Sequence, residues 1–372
     1  MRNRYADLVN VGRDSVAGRF LRKFWHPVHI SERLPKARAM SLRIMEEDFT
    51  LYRGESGRVG LLAPRCPHRG TLLSVGRIND DCLSCLYHGW KFNPEGQCVE
   101  QPAELRSFAE TTRIASYPTR EYHGLIFAYF GAGEPPEFPR FELLEGDGVL
   151  LADCDLRPFP FFNQLENTVD EVHFNFVHRV SRFADAGLNS HIPELTCEET
   201  DYGIARYGKR GNVVRVSHVV MPNCMLTSVP RGKGWSDRLS WRVPVDRESH
   251  LTFSLDMVHL TAAAAEEFQQ SLIEDEQKIS QLEPMNSVVS KILRGEMHLD
   301  DVVDRPDIVL LQDTVAMRSQ GIVDRELDQL GASDRQVKLL REVWSREVRK
   351  LEEGGVPKTW KIRPDLQTTH GV

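Results

Sequence analysis

The chain has no long apolar run, no basic excess, no internal repeat and no low-complexity tract. No stretch approaches 18 consecutive apolar residues, so no membrane-spanning helix is expected, and runs such as residues 125–130 suit buried strands. Lysine and arginine total 47 against 54 aspartates and glutamates, a formal charge of −7, where nucleic acid as a bulk partner would want the opposite balance. Residues 1–10 carry charges and no apolar stretch of the secretory kind, so the protein is expected in the cytoplasm. Cysteine is sparse: seven residues, at 66, 82, 85, 98, 154, 197 and 224, form an odd set without a disulfide framework. In a reducing compartment these are expected as thiols or metal ligands.

What is present is ordinary globular material. With 372 residues, 41% hydrophobic and 27% charged, the chain exceeds one average domain, and two are expected. Residues 40–135 read as short strands with turn signals, among them Gly54, Gly57 and Asn93-Pro94-Glu95-Gly96. A boundary is expected at Gly131-Ala132-Gly133-Glu134-Pro135-Pro136. Residues 163–180 read as helix-like, and strand candidates at 212–220, 224–229, 237–245 and 250–259 suggest an antiparallel meander. Residues 262–282 and 335–352 are rich in helix formers, and Gly354, Gly355 and Pro357 stop the second.

Two clusters of ligand-type side chains stand out. Cys66-Pro67-His68-Arg69-Gly70 is followed, with sixteen residues between His68 and Cys85, by Cys85-Leu86-Tyr87-His88-Gly89-Trp90. Each half offers one thiolate and one imidazole, which suits a [2Fe–2S] cluster with two cysteines on one iron and two histidines on the other. A zinc site of two cysteines and two histidines competes, though zinc pairs are usually spaced by two to four residues and Cys66-x-His68 is tighter. Cys82, three before Cys85, reads as structural.

The second cluster is Asn167, Asp170, His173 and His178. Two imidazoles and a carboxylate leave positions open on Fe(II) for O₂ and substrate. Asp170 and His173 share a helix face, but His173 and His178 stand about 140° apart on an ideal helix. Both reach one iron only if the helix distorts or ends between them.

Cys-x-His-Arg-Gly followed by Cys-x2-His-Gly-Trp-Lys resembles the Rieske domains of bacterial non-haem iron oxygenases. Respiratory Rieske proteins carry an extra cysteine after each half, which this chain lacks. Asn167-x2-Asp170-x2-His173-x4-His178 is similar to the mononuclear iron motif of the same oxygenases. The resemblance implies that His173 and His178 bind iron. It further implies that Asp170, with Asn167 beside it, links the iron to the cluster of a neighbouring subunit, hydrogen-bonding His173 and reaching that subunit's His88. A second-shell carboxylate on a ligand imidazole fits that role. The third ligand is expected at Asp313, within Leu310-Leu311-Gln312-Asp313-Thr314; family members usually place an acidic residue where this chain has Gln312. Asp301, Asp304 and Asp307 are rivals, the last two reading as turn or cap residues around Pro306.

The step from Asn167 to Asp170, the opening around residues 8–27 and the stretch 320–325 resemble the phthalate dioxygenase and vanillate demethylase branch. The implied fold is α+β. Residues 1–40 would pack on the catalytic domain, residues 41–140 would form an all-β Rieske domain, and residues 141–372 a catalytic domain of helix-grip type with an antiparallel sheet and flanking helices. The implied activity is O₂-dependent hydroxylation or O-demethylation of a small, carboxylated aromatic at mononuclear Fe(II). Electrons would come from NAD(P)H through a separate flavin and iron–sulfur reductase or a ferredoxin, and the oxygenase would be a homotrimer or a multiple of one. Arg179, Arg182 and His191 could pair with an acid group on the substrate. A cis-dihydroxylating or angular dioxygenase, and a Rieske electron-transfer protein without catalysis, are the alternatives.

Overall fold

The structure, a computed structural model, describes residues 5–146, 148–231, 234–260, 262–322 and 325–369. Val323 and Asp324, in a stretch compared above with the phthalate dioxygenase branch, lie outside the described residues. The chain divides into a larger unit, Met1–Asn10, Pro139–Arg242 and Arg247–Val372, and a smaller one, Val11–Phe138 with Val243–Asp246. The expected 1–40 segment is therefore split. Helix α1 (Tyr5–Val9) buries Tyr5, Leu8 and Val9, and the Tyr5 ring meets Phe162 edge-on at 5.9 Å in the larger unit. From Val11 onward the chain belongs to the smaller unit, because its first strand pairs there.

In the smaller unit, helix α2 (Val16–Leu21) starts at Ser15, whose Oγ accepts from the Gly18 N–H at 3.0 Å. The strands are β1 (Trp25–Ile30), β2 (Arg38–Ile44), β3 (Glu47–Arg53), β4 (Val59–Leu62), β5 (Arg77–Asn79), β6 (Cys82–Ser84), β7 (Lys91–Phe92), β8 (Cys98–Glu100), β9 (Ser116–Tyr117), β10 (Thr119–Tyr122) and β11 (Leu125–Tyr129). They form three sheets, ordered β1-β11-β10, β2-β3-β4-β9 and β5-β6-β7-β8. The all-apolar strand β11 is buried along its length between two partners, as its composition demands. The expected turn at Asn93 to Gly96 joins β7 to β8: the Gly96 N–H donates to the Asn93 carbonyl at 2.9 Å, with Gly96 at φ +79°.

The larger unit is α+β. A seven-stranded sheet runs β12 (Val149–Arg157), β18 (His250–Val258), β17 (Gly234–Pro244), β16 (Cys224–Arg231), β15 (Val213–Val220), β14 (Gly203–Arg210), β13 (Glu194–Glu199), a meander closed by β12 along β18. Besides α1, its helices are α3 (Phe161–Val169), α4 (Arg182–Asp185), α5 (Ala262–Gln281), α6 (Met285–Leu293), α7 (Ile308–Gln320) and α8 (Arg335–Glu352). Apolar residues of α3 recur at helical spacing, and its Phe161 and Phe162 rings meet Trp344 of α8 at 5.8 and 5.4 Å.

The helical reading of residues 163–180 is corrected. Helix α3 stops at Val169, Asp170 is extended at φ −81° and ψ 107°, and a single 3-10 turn follows at Val172–Asn175. The Asp170 side chain causes the break, since its Oδ1 accepts from the Val172 and His173 N–H groups at 2.9 and 3.3 Å. Such a local bond competes with helix continuation. Helix α4 then restarts at Ser181, whose Oγ accepts from the Phe183 N–H at 3.2 Å.

Candidate metal centres

In the smaller unit, two turns of the same construction present the first ligand cluster. The Cys66 N–H donates to Thr71 O at 2.9 Å and the Gly70 N–H to Cys66 O at 2.9 Å. The Cys85 N–H donates to Trp90 O at 2.8 Å and the Gly89 N–H to Cys85 O at 3.0 Å. Gly70 and Gly89 share φ +75°, a conformation other L-residues resist, which is why each half-motif carries a glycine there. Cys66 and Cys85 are buried in the core with Tyr52, Leu83, Trp90 and Phe92, whereas His68 is exposed and His88 half-exposed. The two imidazole rings lie 4.5 Å apart, and His68 stacks on Trp90 at 4.7 Å and 6°.

This donor set fits a [2Fe–2S] cluster. Burial, with the Cys85 thiol beside it, pushes the Cys66 thiol up to about 11, so thiolates here need a cation to hold them. Cys82, which lies on β6, is half-buried with a thiol raised by burial. Among the described residues, the one group of three or more ligand atoms all within 4.8 Å of one another is His173, His178 and Asp313. The Cys66–His68–Cys85–His88 set is thus more widely spaced than a single-ion site, as two irons require.

In the larger unit, the second site joins the broken α3 segment to α7. His178 Nε2 lies 3.2 Å from Asp313 Oδ1, and His173 Nε2 lies 3.9 Å from the same oxygen. The break at Asp170 resolves the spacing problem: His173 sits on the 3-10 turn and His178 beyond it, so the two rings converge at 5.1 Å. The Asn167 amide donates to Asp313 Oδ1 at 3.3 Å. His178 is 1% exposed and stacks on Phe183 at 5.2 Å. Two imidazole nitrogens and one carboxylate facing a common point are the donors of a mononuclear Fe(II) site.

Each ring is oriented through its other nitrogen. His178 Nδ1 donates to Gln312 Oε1 at 2.9 Å. His173 Nδ1 donates to the backbone carbonyl of Asp170. The expectation that the Asp170 carboxylate would take this bond is corrected: within the chain that carboxylate is turned onto backbone N–H groups, and the carbonyl does the orienting. Gln312, which sequence reasoning treated only as a departure from pattern, is the side chain that meets the His178 ring. Its place next to Asp313, on a helix facing the histidines, was the available signal. Asp301 instead caps the turn at Leu299–Val302, and Asp307 is held by Arg305 through two bonds of 2.8 Å.

Electrostatics divide the two imidazoles. Burial holds His173 below the ordinary imidazole range despite the pull of Asp313. Burial acts on His178 in the same direction, but Asp313 and Gln312 outweigh it and leave His178 raised. Burial alone would raise the Asp313 carboxyl, yet His178, His173 and the Asn167 amide hold it low. Beneath the site, Glu171, 2% exposed, binds Arg210 and Arg215 at 2.9 and 2.8 Å, with Arg206 at 3.7 Å. Arg206 also donates to Val169 O at 2.8 Å, so the ligand segment is tied to β14 and β15. Of the residues expected to meet substrate, Arg179 and His191 are exposed and Arg182 is half-buried on α4.

Residues 24–118 match the family model described as Rieske [2Fe-2S] domain. The chain is 28% identical to the 5,5'-dehydrodivanillate O-demethylase oxygenase subunit of Sphingobium sp. (strain NBRC 103272 / SYK-6), over 94% of this chain and 81% of that protein. It is 32% identical to phenoxybenzoate dioxygenase subunit alpha of Ectopseudomonas oleovorans, over 66% of each chain. Among solved structures, the terminal oxygenase of carbazole 1,9a-dioxygenase from Novosphingobium sp. KA1 superposes with a TM-score of 0.69, at 20% identity, over 93% of this chain and 95% of that one.

Proposed function

Taking as premise that this chain belongs to the Rieske non-haem iron oxygenases as an oxygenase subunit, we propose that it hydroxylates or O-demethylates a small carboxylated aromatic. The convergence of His173, His178 and Asp313, with both Nε2 atoms facing Oδ1 at 3.9 and 3.2 Å, carries this reading. Cys66, His68, Cys85 and His88 hold the [2Fe–2S] cluster, and His173, His178 and Asp313 hold Fe(II). When bound, the iron supplies the O₂ chemistry and the cluster supplies single electrons.

The remaining work belongs to the protein. Gln312 and the Asp170 carbonyl fix both ligand rings with Nε2 forward, and Asn167 steadies Asp313. Phe174 and Phe183 stack at 5.0 Å beside His178 and keep water from that flank. Electrons arrive from a separate reductase, of flavin and iron–sulfur type or through a ferredoxin, drawing on NAD(P)H; relatives named as oxygenase subunits support a second component. The exposed His68 edge suits delivery to a neighbouring chain, so a homotrimer, with Asp170 relaying between subunits, is the assembly we propose. Among the described residues no helix is long and apolar enough to cross a membrane; a cytoplasmic place is part of the proposal.

Metal analysis with EPR of the dithionite-reduced protein tests the reading. Three irons per chain and a histidine-ligated cluster signal are expected, and His173→Ala should lose one iron and all turnover. Two irons per chain in the unaltered protein would leave only an electron carrier. Product analysis under ¹⁸O₂ separates insertion of one oxygen atom from the two of a dihydroxylating enzyme.

A further inference from the structure

The smaller unit buries an indole N–H for which the described residues supply no acceptor. Trp90 is 4% exposed, and its Nε1 is fully buried without a hydrogen-bond partner. The other tryptophan of this unit, Trp25, donates from Nε1 to Pro136 O at 2.9 Å. A buried donor left unpaired carries its whole desolvation cost, so each such group calls for an explanation.

Trp90 touches both halves of the cluster motif. Its ring lies parallel to that of His68, at 4.7 Å and 6°, and its carbonyl accepts from the Cys85 N–H at 2.8 Å. The side chain shares one core with Cys66 and Cys85, and the rest of that core is apolar side chains such as Leu73, Leu83 and Phe92. Hydrocarbon offers no acceptor to an N–H. Phe108 meets the indole edge-on at 5.3 Å and 79°, so its ring face is the rival partner. A [2Fe–2S] cluster on Cys66, His68, Cys85 and His88 would bring sulfur acceptors into this same core, as bridging sulfides and cysteine thiolates. Hydrogen bonds to such sulfurs are among the features that set the reduction potential.

We propose that the Trp90 indole N–H donates a hydrogen bond to a sulfur of the cluster and raises its reduction potential. This rests on the assignment of Cys66, His68, Cys85 and His88 as cluster ligands. Reduction adds one negative charge to the cluster, and a hydrogen bond to a charged acceptor is roughly twice as strong as a neutral one. The N–H therefore favours the reduced form and eases electron uptake from the reductase. An EPR-monitored redox titration of the full chain with its cluster loaded tests this. The parent is compared with Trp90→Phe and with a protein carrying 3-benzothienylalanine at position 90. In the latter, sulfur replaces the indole N–H and the bicyclic ring that stacks on His68 is kept. Each replacement should lower the equilibrium constant for reduction about tenfold, a midpoint about 59 mV more negative for one electron. If Trp90→Phe does not assemble a cluster, the benzothienyl protein carries the test. In parent protein labelled with ¹⁵N at the tryptophan indoles, pulsed EPR of the reduced cluster should show a weak ¹⁵N coupling that the benzothienyl replacement removes. A benzothienyl protein whose equilibrium constant stays within about twofold of the parent, or a parent without the ¹⁵N coupling, would overturn the proposal and leave the N–H to Phe108. A parent lacking the histidine-ligated [2Fe–2S] signal would sink the ligand assignment itself, whereas that signal with an unmoved midpoint sinks the role of Trp90 alone.

Discussion

Replacing Gln312 by leucine should strip the mononuclear iron while leaving the [2Fe–2S] cluster in place. His178 is 1% exposed and Gln312 5%, so the 2.9 Å bond between them has little water to replace it. Leucine nearly preserves the volume and removes the acceptor together with the amide N–H groups. The buried Nδ1–H then stands unpaired, which costs about 1–3 kcal/mol. Independently, losing the group that orients a metal-bound imidazole lowers metal affinity roughly 10- to 100-fold. At about 1.4 kcal/mol per tenfold, that corresponds to roughly 1.4–2.8 kcal/mol, so the two routes agree. The assay is iron content after equilibrium dialysis against graded chelator, with the visible absorption of the cluster as internal control. Gln312→Glu keeps an acceptor and should retain the iron. A leucine variant that holds mononuclear iron as firmly as the parent would refute the orienting role.

Three further outcomes are expected. Glu171→Gln leaves three buried guanidiniums without their anion and should destabilise the larger unit by about 3–5 kcal/mol. At about 2–4 °C per kcal/mol, its calorimetric transition should fall by roughly 6–20 °C, and a shift under 1 °C would exclude the network as a support. Burial opposes ionisation of Glu171, but the arginines win and hold its carboxyl below the usual range. Its contribution is therefore full at neutral pH and disappears as pH falls through the lowered folded value, so parent and variant stabilities should converge in acid. Iron uptake by apoprotein requires neutral His178, which Asp313 and Gln312 raise against burial. Uptake should therefore weaken on acidification at a higher pH than an unperturbed imidazole would give, and Asp313→Asn should move that midpoint down. Asp170→Asn should keep both metals and turn over slowly, since the histidine contact is made by the backbone carbonyl; loss of mononuclear iron in that variant would assign the side chain a structural role instead.

Much of the smaller unit was legible in the linear sequence because its determinants are local. Each half of the cluster motif closes on itself within six residues, Cys66 to Thr71 and Cys85 to Trp90, and the glycine each turn needs stands inside the motif. The Asn93–Gly96 turn is local in the same sense, and helix α8 begins and ends where its helix formers do. Strands β12, β13 and β14 escaped notice. Their side chains mix charge with apolar groups, and on β14 Arg206 and Arg210 are buried because Glu171 of a distant segment pairs with them. No periodicity reports such a partner.

The second metal site shows the same division. Sequence alone supplied its histidines and the conflict in their spacing, since helix geometry puts positions 173 and 178 on different faces. Only tertiary structure decided how the conflict is settled: Asp170 caps the backbone, ends α3 and turns His173 toward His178. It also decided which of several distant aspartates faces the two histidines, and that Gln312 accepts the His178 Nδ1–H hydrogen bond. The two metal motifs that opened the reading were thus written in the chain, because ligand identity and turn chemistry are local properties. The orienting oxygens were not, and Asp313 was singled out from its rivals by resemblance alone, because each depends on which residues the sheet and helices bring within a few ångströms.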